Sequence, residues 1–452
     1  MKRRNHLKSR GTGLPRLVAL LLALALVVAA CGSDDGGSTD TTAPGDTPVT
    51  TDDGGTTEDT MAPVTLNVLH NWGADSAKGP VLQSVFEGFM AEHPNITVTD
   101  EILTDLEIPT KVETAFIGGE EPDIVFSNRF PQTQLWVQDG IAIDVRPLLE
   151  EWSFESPFVD QGLESMTDAD GALLAFPLEG FTWPVWYNTA ILDEAGVGVP
   201  QSIDEMLAAI PAIRDAGFEP FVAAGADWPG AQLFELIMST QMTNEEIRSV
   251  YQSGDFLGSA NAVKGAELFV ELRDAGLFSD ISRGSDFGSM NESFFAGEAA
   301  MMHGGSWSFA DSPPDLADEI ALGGFPIAGD SPRSQPVMYG GFEAKGVWIT
   351  RNGSEKLDAV ESFVEYLFRP SVIAQFVEDS AMVPSIADVP VDESALNPLF
   401  NESLQLDTEV AQLPDNYMPA SVYDARFAAL QIAFDPSASA QDILTALSDL
   451  YG

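Results

Sequence analysis

The chain has 452 residues, in which 70 Asp and Glu oppose 21 Lys and Arg, a formal net charge of −49. That balance argues against nucleic acid and anionic membrane surfaces as partners, because both are held through Lys and Arg that neutralise phosphate. An apolar fraction of 44% with 27 Phe and 8 Trp excludes a disordered acidic protein, and the single cysteine, Cys31, excludes an internal disulfide or a cysteine zinc site.

Six basic residues, from Lys2 to Arg16, precede an apolar run from Leu17 to Ala30. Fourteen residues fall short of the about 20 needed to span a bilayer and match the apolar region of an export signal. The run ends Val28-Ala29-Ala30-Cys31-Gly32, which resembles a bacterial lipobox, where the cysteine is lipidated and becomes the mature N-terminus. Residues 1–31 are therefore expected to be a signal peptide with a lipobox, whose removal raises the excess of acids over bases from 49 to 55. Residues 32–63 contain no aromatic residue and almost nothing to bury, so they read as a disordered tether. A flexible chain of that length reaches about 30 Å. The expected site of action is the outer face of a membrane, or the periplasm where an outer membrane exists.

From Val64 the pattern becomes alternating strands and helices. Val64 to Leu69 reads as a strand, and the spacing of Val81, Leu82, Val85, Phe86, Phe89 and Met90 predicts a one-faced helix from about Gly79 to His93. Extended structure resumes at Ile96 to Val98, and Pro122 to Phe126 reads as a buried strand. This alternation predicts an α/β fold with mostly parallel sheets.

Several segments, in order, resemble the extracellular solute-binding proteins of ABC importers, in the sugar-binding group that includes maltose-binding protein. They are Gly119 to Phe126 (a "G-x-x-P-D-I" strand), Asp170-Gly171 with Phe176-Pro177, Trp186-Tyr187-Asn188, Phe294 to Met301 followed by Gly305-Ser306-Trp307, Gly340-Gly341 before Gly346 to Ile349, and Phe363 to Leu367. Trp186 departs from the pattern, which has Tyr there. The resemblance implies a two-lobe, periplasmic-binding-protein-like fold with a ligand cleft between the lobes. Lobe 1 would take residues 64–178 and 320–392, lobe 2 residues 179–319 and 393–452. It also implies a monomer that closes around a mono- or oligosaccharide and presents it to the transmembrane subunits of an ABC permease, attached to the membrane by its N-terminal lipid alone.

A sugar offers apolar C–H faces and a belt of hydroxyls, so its site needs aromatic platforms and planar hydrogen-bonding groups. Trp72, Trp183, Trp228 and Trp307 lie in Gly- or Pro-containing loop contexts and are the candidate platforms; Trp136, Trp152, Trp186 and Trp348 sit among apolar neighbours and are expected in the core. The polar candidates are Asn128 and Arg129 after the Pro122 strand, Glu179 at the first lobe crossing, Asp227 beside Trp228, and Glu343 after Gly341-Phe342, with Gly341 itself at a cleft-facing turn.

No zinc-helix, nucleophile-elbow, Walker or Cys-x-x-Cys motif occurs, and no cofactor or metal is called for. Thr167 to Gly171 resembles a calcium loop but lacks its third acid and distant Glu, and reads better as a hairpin turn on Asp170-Gly171. His70 and His303 are isolated and read as hydrogen-bonded structural histidines. The competing class is a secreted glycoside hydrolase with Glu179 and Asp227 flanking a scissile bond. A third reading keeps the binding fold and has it signal to a membrane receptor.

Overall fold

A computed structural model describes residues 62–74, 76–279 and 281–452. The signal, Cys31 and nearly all of the tether lie outside the described residues. Among the described residues no helix is long and apolar enough to cross a membrane.

The strands, in chain order, are β1 (Val64–His70), β2 (Ile96–Ile102), β3 (Ile124–Ser127), β4 (Phe176–Trp183), β5 (Val185–Asn188), β6 (Met301–His303), β7 (Ile320–Gly323), β8 (Val337–Ile349), β9 (Val383–Pro384) and β10 (Glu409–Ala411). One sheet has the order β2-β1-β3-β8-β4-β9, with β10 also on β8; a three-stranded sheet has the order β6-β5-β7. Two apolar clusters accompany them. Leu66, Val68, Phe86, Ile124 and Trp348 belong to the first, and Tyr187, Ile210, Phe234, Phe269 and Leu444 to the second.

The helix Lys78–Glu92 forms where its periodicity predicts, burying Val81, Leu82, Val85, Phe86 and Phe89. The Gly-Glu-Glu-Pro-Asp segment has a physical reason. Gly119, at φ 71°, closes the helix Ile108–Gly118 in the left-handed region that glycine adopts freely. Asp123 then accepts from the backbone N–H of Asn67 at 2.8 Å and from Nζ of Lys356 at 2.7 Å, tying β1, β3 and a distant helix together. The Asp170-Gly171 turn is a hairpin: Asp168 Oδ1 accepts from the N–H groups of Asp170 and Ala172, and Thr167 bridges Leu173.

One expectation is corrected. The sheets are mixed, since β1 is parallel to β2 and β3 and β10 to β8, while β8 runs antiparallel to β3 and β4 and the small sheet is antiparallel throughout. The cause is one long strand, β8, returning against its neighbours. Residues 320–323 form β7, which pairs with β5 in the small sheet. Pairing with the large sheet begins at Val337, opposite Glu409 of β10.

Behind the second cluster sits a fully buried charge group. Arg426 and Glu235 are both 0% exposed, 3.2 Å apart without hydrogen-bond alignment, and Arg426 also pairs with Asp415. Burial lifts the Glu235 carboxyl from 4.5 to about 7, outweighing the pull of Arg426; Asp415 adds to the rise. The folded chain thus binds this proton more tightly than the unfolded one, and its contribution to stability is fully present below about pH 4.5 and lost as pH rises to about 7. Glu235→Gln is expected to flatten the decline in melting temperature over that window, and an unchanged slope in the variant would refute the assignment.

Candidate functional site

Strands β4 and β8 pair from Phe176 with Val347 to Trp183 with Tyr339, and the register slips on either side of Glu179. Such irregularities re-aim side chains. The middle of this ribbon carries Glu179, Phe181 and Trp183 on one strand and Glu343 and Lys345 on the other, all lining one cleft of about 730 Å³. Because β1 and β3 are parallel neighbours, the loops that follow them leave the same sheet edge. They bring Asn71, Trp72 and Lys78 beside Asn128, Arg129 and Phe130. The opposite wall comes from the start of the helix Trp228–Ser239, the short turn Ser306–Ser308 and the segment around Asp415 and Asn416.

Nine of the ten residues predicted for ligand contact line this cleft: Trp72, Asn128, Arg129, Glu179, Trp183, Asp227, Trp228, Trp307 and Glu343. Gly341 does not. A methyl group there would overlap Oε2 of Glu343, so Gly341 makes room for that carboxylate.

The aromatic wall is a connected set. Trp307 meets Trp183 at 5.0 Å, Trp228 at 6.0 Å and Phe181 at 6.3 Å between ring centroids, and Trp228 packs on Phe287 at 5.6 Å. Trp183 is only 4% exposed and lies flat on His303, 4.4 Å away at 2°. His303 is buried, and desolvation lowers its pKa to about 3, so it stacks as a neutral ring. Trp228 and Trp307 keep partly exposed rings. Gly305 permits this position, because a side chain there would overlap the Trp307 ring, and the buried Trp186 donates from Nε1 to the Gly304 carbonyl at 2.6 Å, anchoring the turn.

Trp72 was expected to offer a platform; it does not have a free face. It is 4% exposed, packed on Phe126 at 5.8 Å and Phe376 at 5.6 Å, with the Lys78 ammonium 5.5 Å from its ring centroid. His70 holds it there: Nδ1 accepts the Trp72 N–H at 3.1 Å while Nε2 faces Asp100 at 3.2 Å. Trp136, Trp152, Trp186 and Trp348 are buried as expected.

Several polar groups are already engaged. Glu179 pairs with Lys78, and Lys345 donates to Asp105 at 2.6 Å and Asn71 at 2.9 Å. Asp227 caps its helix, accepting from the N–H of Trp228 at 2.8 Å and of Phe287 at 3.1 Å. Others are buried and unpartnered within the protein: Nε of Arg129, Nε1 of Trp307, Oε2 of Glu343, Oε1 of Gln232, and Oδ1 of Asn128 and Asn416. Burial pushes the Glu343 carboxyl above its ordinary range and lowers the Arg129 guanidinium, which Glu343 partly pulls back. An orphaned buried polar atom is costly, so this set is poised to bond a guest.

Sequence reasoning missed Lys78, Phe181, Gln232, Phe287, Lys345, Asp415 and Asn416. Lys345 had a signal, lying two residues beyond Glu343 on a strand and so on the same face. Gln232, Asp415 and Asn416 had none, since tertiary packing alone assembles them.

A fold of two lobes with a pocket crossed by paired strands defines a ligand-capturing class of α/β protein. The family model of bacterial extracellular solute-binding proteins matches residues 73–374, and the chain belongs to that family. A probable secreted solute-binding lipoprotein from Streptomyces coelicolor is similar at 32% identity and TM-score 0.74, over 86% of this chain and 98% of that one. A chitin oligosaccharide binding protein shares the fold at 20% identity and TM-score 0.74, over 86% and 98% of the two chains. A probable sugar-binding periplasmic protein of Rhizobium meliloti is 23% identical over 251 residues, 54% of this chain and 58% of the relative. The chain therefore spans a little over half the length of the curated relatives it matches.

Proposed function

We propose that this protein captures a carbohydrate in the cleft and delivers it to the transmembrane subunits of an ABC permease, anchored outside the membrane by lipid on Cys31. The observation that carries this reading is the pairing of the partly exposed Trp228 and Trp307 with six buried, unpartnered polar atoms in residues that line one cleft. Rings suit sugar faces and planar groups suit hydroxyls. The names of the sugar-binding relatives support it. Residues 64–178 would form most of one lobe and 185–323 most of the other, with β4 and β8 crossing between them. A ligand gripping both would shift an open–closed equilibrium by its differential affinity for the two states.

The glycoside hydrolase reading is disfavoured. Glu179 is engaged by Lys78 and Asp227 by two backbone N–H groups, so neither carboxylate is placed as a free acid or base. The test is a thermal-shift screen over mono- and oligosaccharides, polyols and amino acids, followed by chromatography of the recovered sugar. The expected result is a raised melting temperature with at least one saccharide, recovered intact. Stabilisation by none of the saccharides, or recovery of cleaved sugar, would overturn the proposal.

A further inference from the structure

The unpartnered atoms in the cleft are unbalanced between donors and acceptors, and the imbalance specifies a ligand chemistry. Gln232 is 3% exposed, and its amide nitrogen donates to Asp415 Oδ1 at 2.8 Å; the amide must therefore present its carbonyl, and that Oε1 has no partner. Asn416 behaves alike. Its nitrogen donates to Glu343 Oε1 at 3.3 Å, leaving Oδ1 without a partner. Glu343 Oε2 adds a third acceptor, the Asn128 amide can turn either end to a guest, and the unpartnered donors are Arg129 Nε and Trp307 Nε1. Three fixed acceptors against two donors favour a guest that donates more hydrogen bonds than it accepts.

Charge points the same way. The lining carboxylates are Asp105, Glu179, Asp227, Asp311, Glu343 and Asp415, against the cations Lys78, Arg129 and Lys345. Lys78 and Lys345 are committed to Glu179 and Asp105, and Arg129 gives one nitrogen to the Ser165 carbonyl. Arg129 is the cation left, and it stands in the field of Glu343; with six carboxylates against three cations the lining is net negative, which disfavours an incoming anion. A hydroxyl or ammonium group meets the acceptors; a carboxylate, phosphate or sulfate meets lone pairs and like charge.

We infer that the cleft selects neutral or amine-bearing saccharides and rejects uronic acid, phosphorylated and sulfated ones. The inference rests on the carbohydrate reading and narrows it. Selection of this kind is built from repulsion as well as fit: the orphan acceptors reward a donor and penalise its anionic counterpart at the same ring position.

The test is calorimetric titration of the protein with matched disaccharides: cellobiose, its glucosamine analogue and its glucuronic acid analogue, with the same α-1,4-linked triplet beside them. In whichever linkage binds, the neutral or amino member should bind at least roughly tenfold more tightly than the uronate. Glu343→Gln should narrow that ratio, with circular dichroism melting used to confirm that the variant is folded. A uronate binding as tightly as its neutral partner, or a ratio unmoved in folded Glu343→Gln, overturns this inference and leaves the carbohydrate reading standing. Binding of no saccharide overturns both.

Discussion

Trp307→Ala is expected to weaken saccharide binding by about 2 kcal/mol or more, roughly thirtyfold, as truncation of a buried aromatic anchor does. The ring stands at the junction of Trp183, Trp228 and Phe181, on a turn that Gly305 keeps open, and its Nε1 has no partner in the protein. A ligand face laid on it would bury the remaining exposed ring, and a hydroxyl oxygen could accept from Nε1. If the ring were only a packing element, its removal would instead cost about 3–5 kcal/mol of stability. Affinity and unfolding free energy measured on the same variant separate the two. A large loss of stability with unchanged affinity in the folded fraction would refute the stacking role.

Arg426→Met should destabilise the fold by about 3–5 kcal/mol, the range for breaking a buried ion pair from one side. Its guanidinium is 0% exposed, paired with Glu235 and Asp415, and lies 4.4 Å and 4.2 Å from the ring centroids of Tyr423 and Phe427. Removing it strands the Asp415 carboxylate, frees Glu235 to stay protonated, and loosens two rings that line the cleft. Adding Asp415→Asn to the same chain should recover part of the loss, because the uncompensated charge goes with it. Urea unfolding of the single and double variants measures this, and a single-variant loss below about 1 kcal/mol would contradict it.

The legible parts of this protein are local ones. The helix Lys78–Glu92 follows from the spacing of Val81 to Phe89, and the turn at Asp170-Gly171 from its own residue chemistry. Parallel pairing could be read for β1 to β3 because helices intervene, but the antiparallel return of β8 depends on a strand far along the chain. The same limit governs the site. Trp307 and Trp228 were recognisable from glycine and proline beside them. Trp72 looked similar, yet Phe376 comes from a remote helix to cover it. Gln232 sits in a mostly apolar helix, and only its meeting with Asp415, from the last part of the chain, engages its amide nitrogen and leaves the carbonyl as an acceptor.

The long strand β8 also sets an order of assembly. Val337 and Tyr339 belong to one apolar cluster, while Val347, Trp348 and Ile349 belong to the other. Ile124 of β3 is paired with Ile349, so the edge of β3 has no neighbour until nearly four fifths of the polypeptide has emerged. For a chain that is synthesised from its N-terminus, the first sheet must wait with an open edge, a state prone to pairing with other chains. The dense negative charge helps here, since nascent chains that repel one another have more time to find their own distant partner.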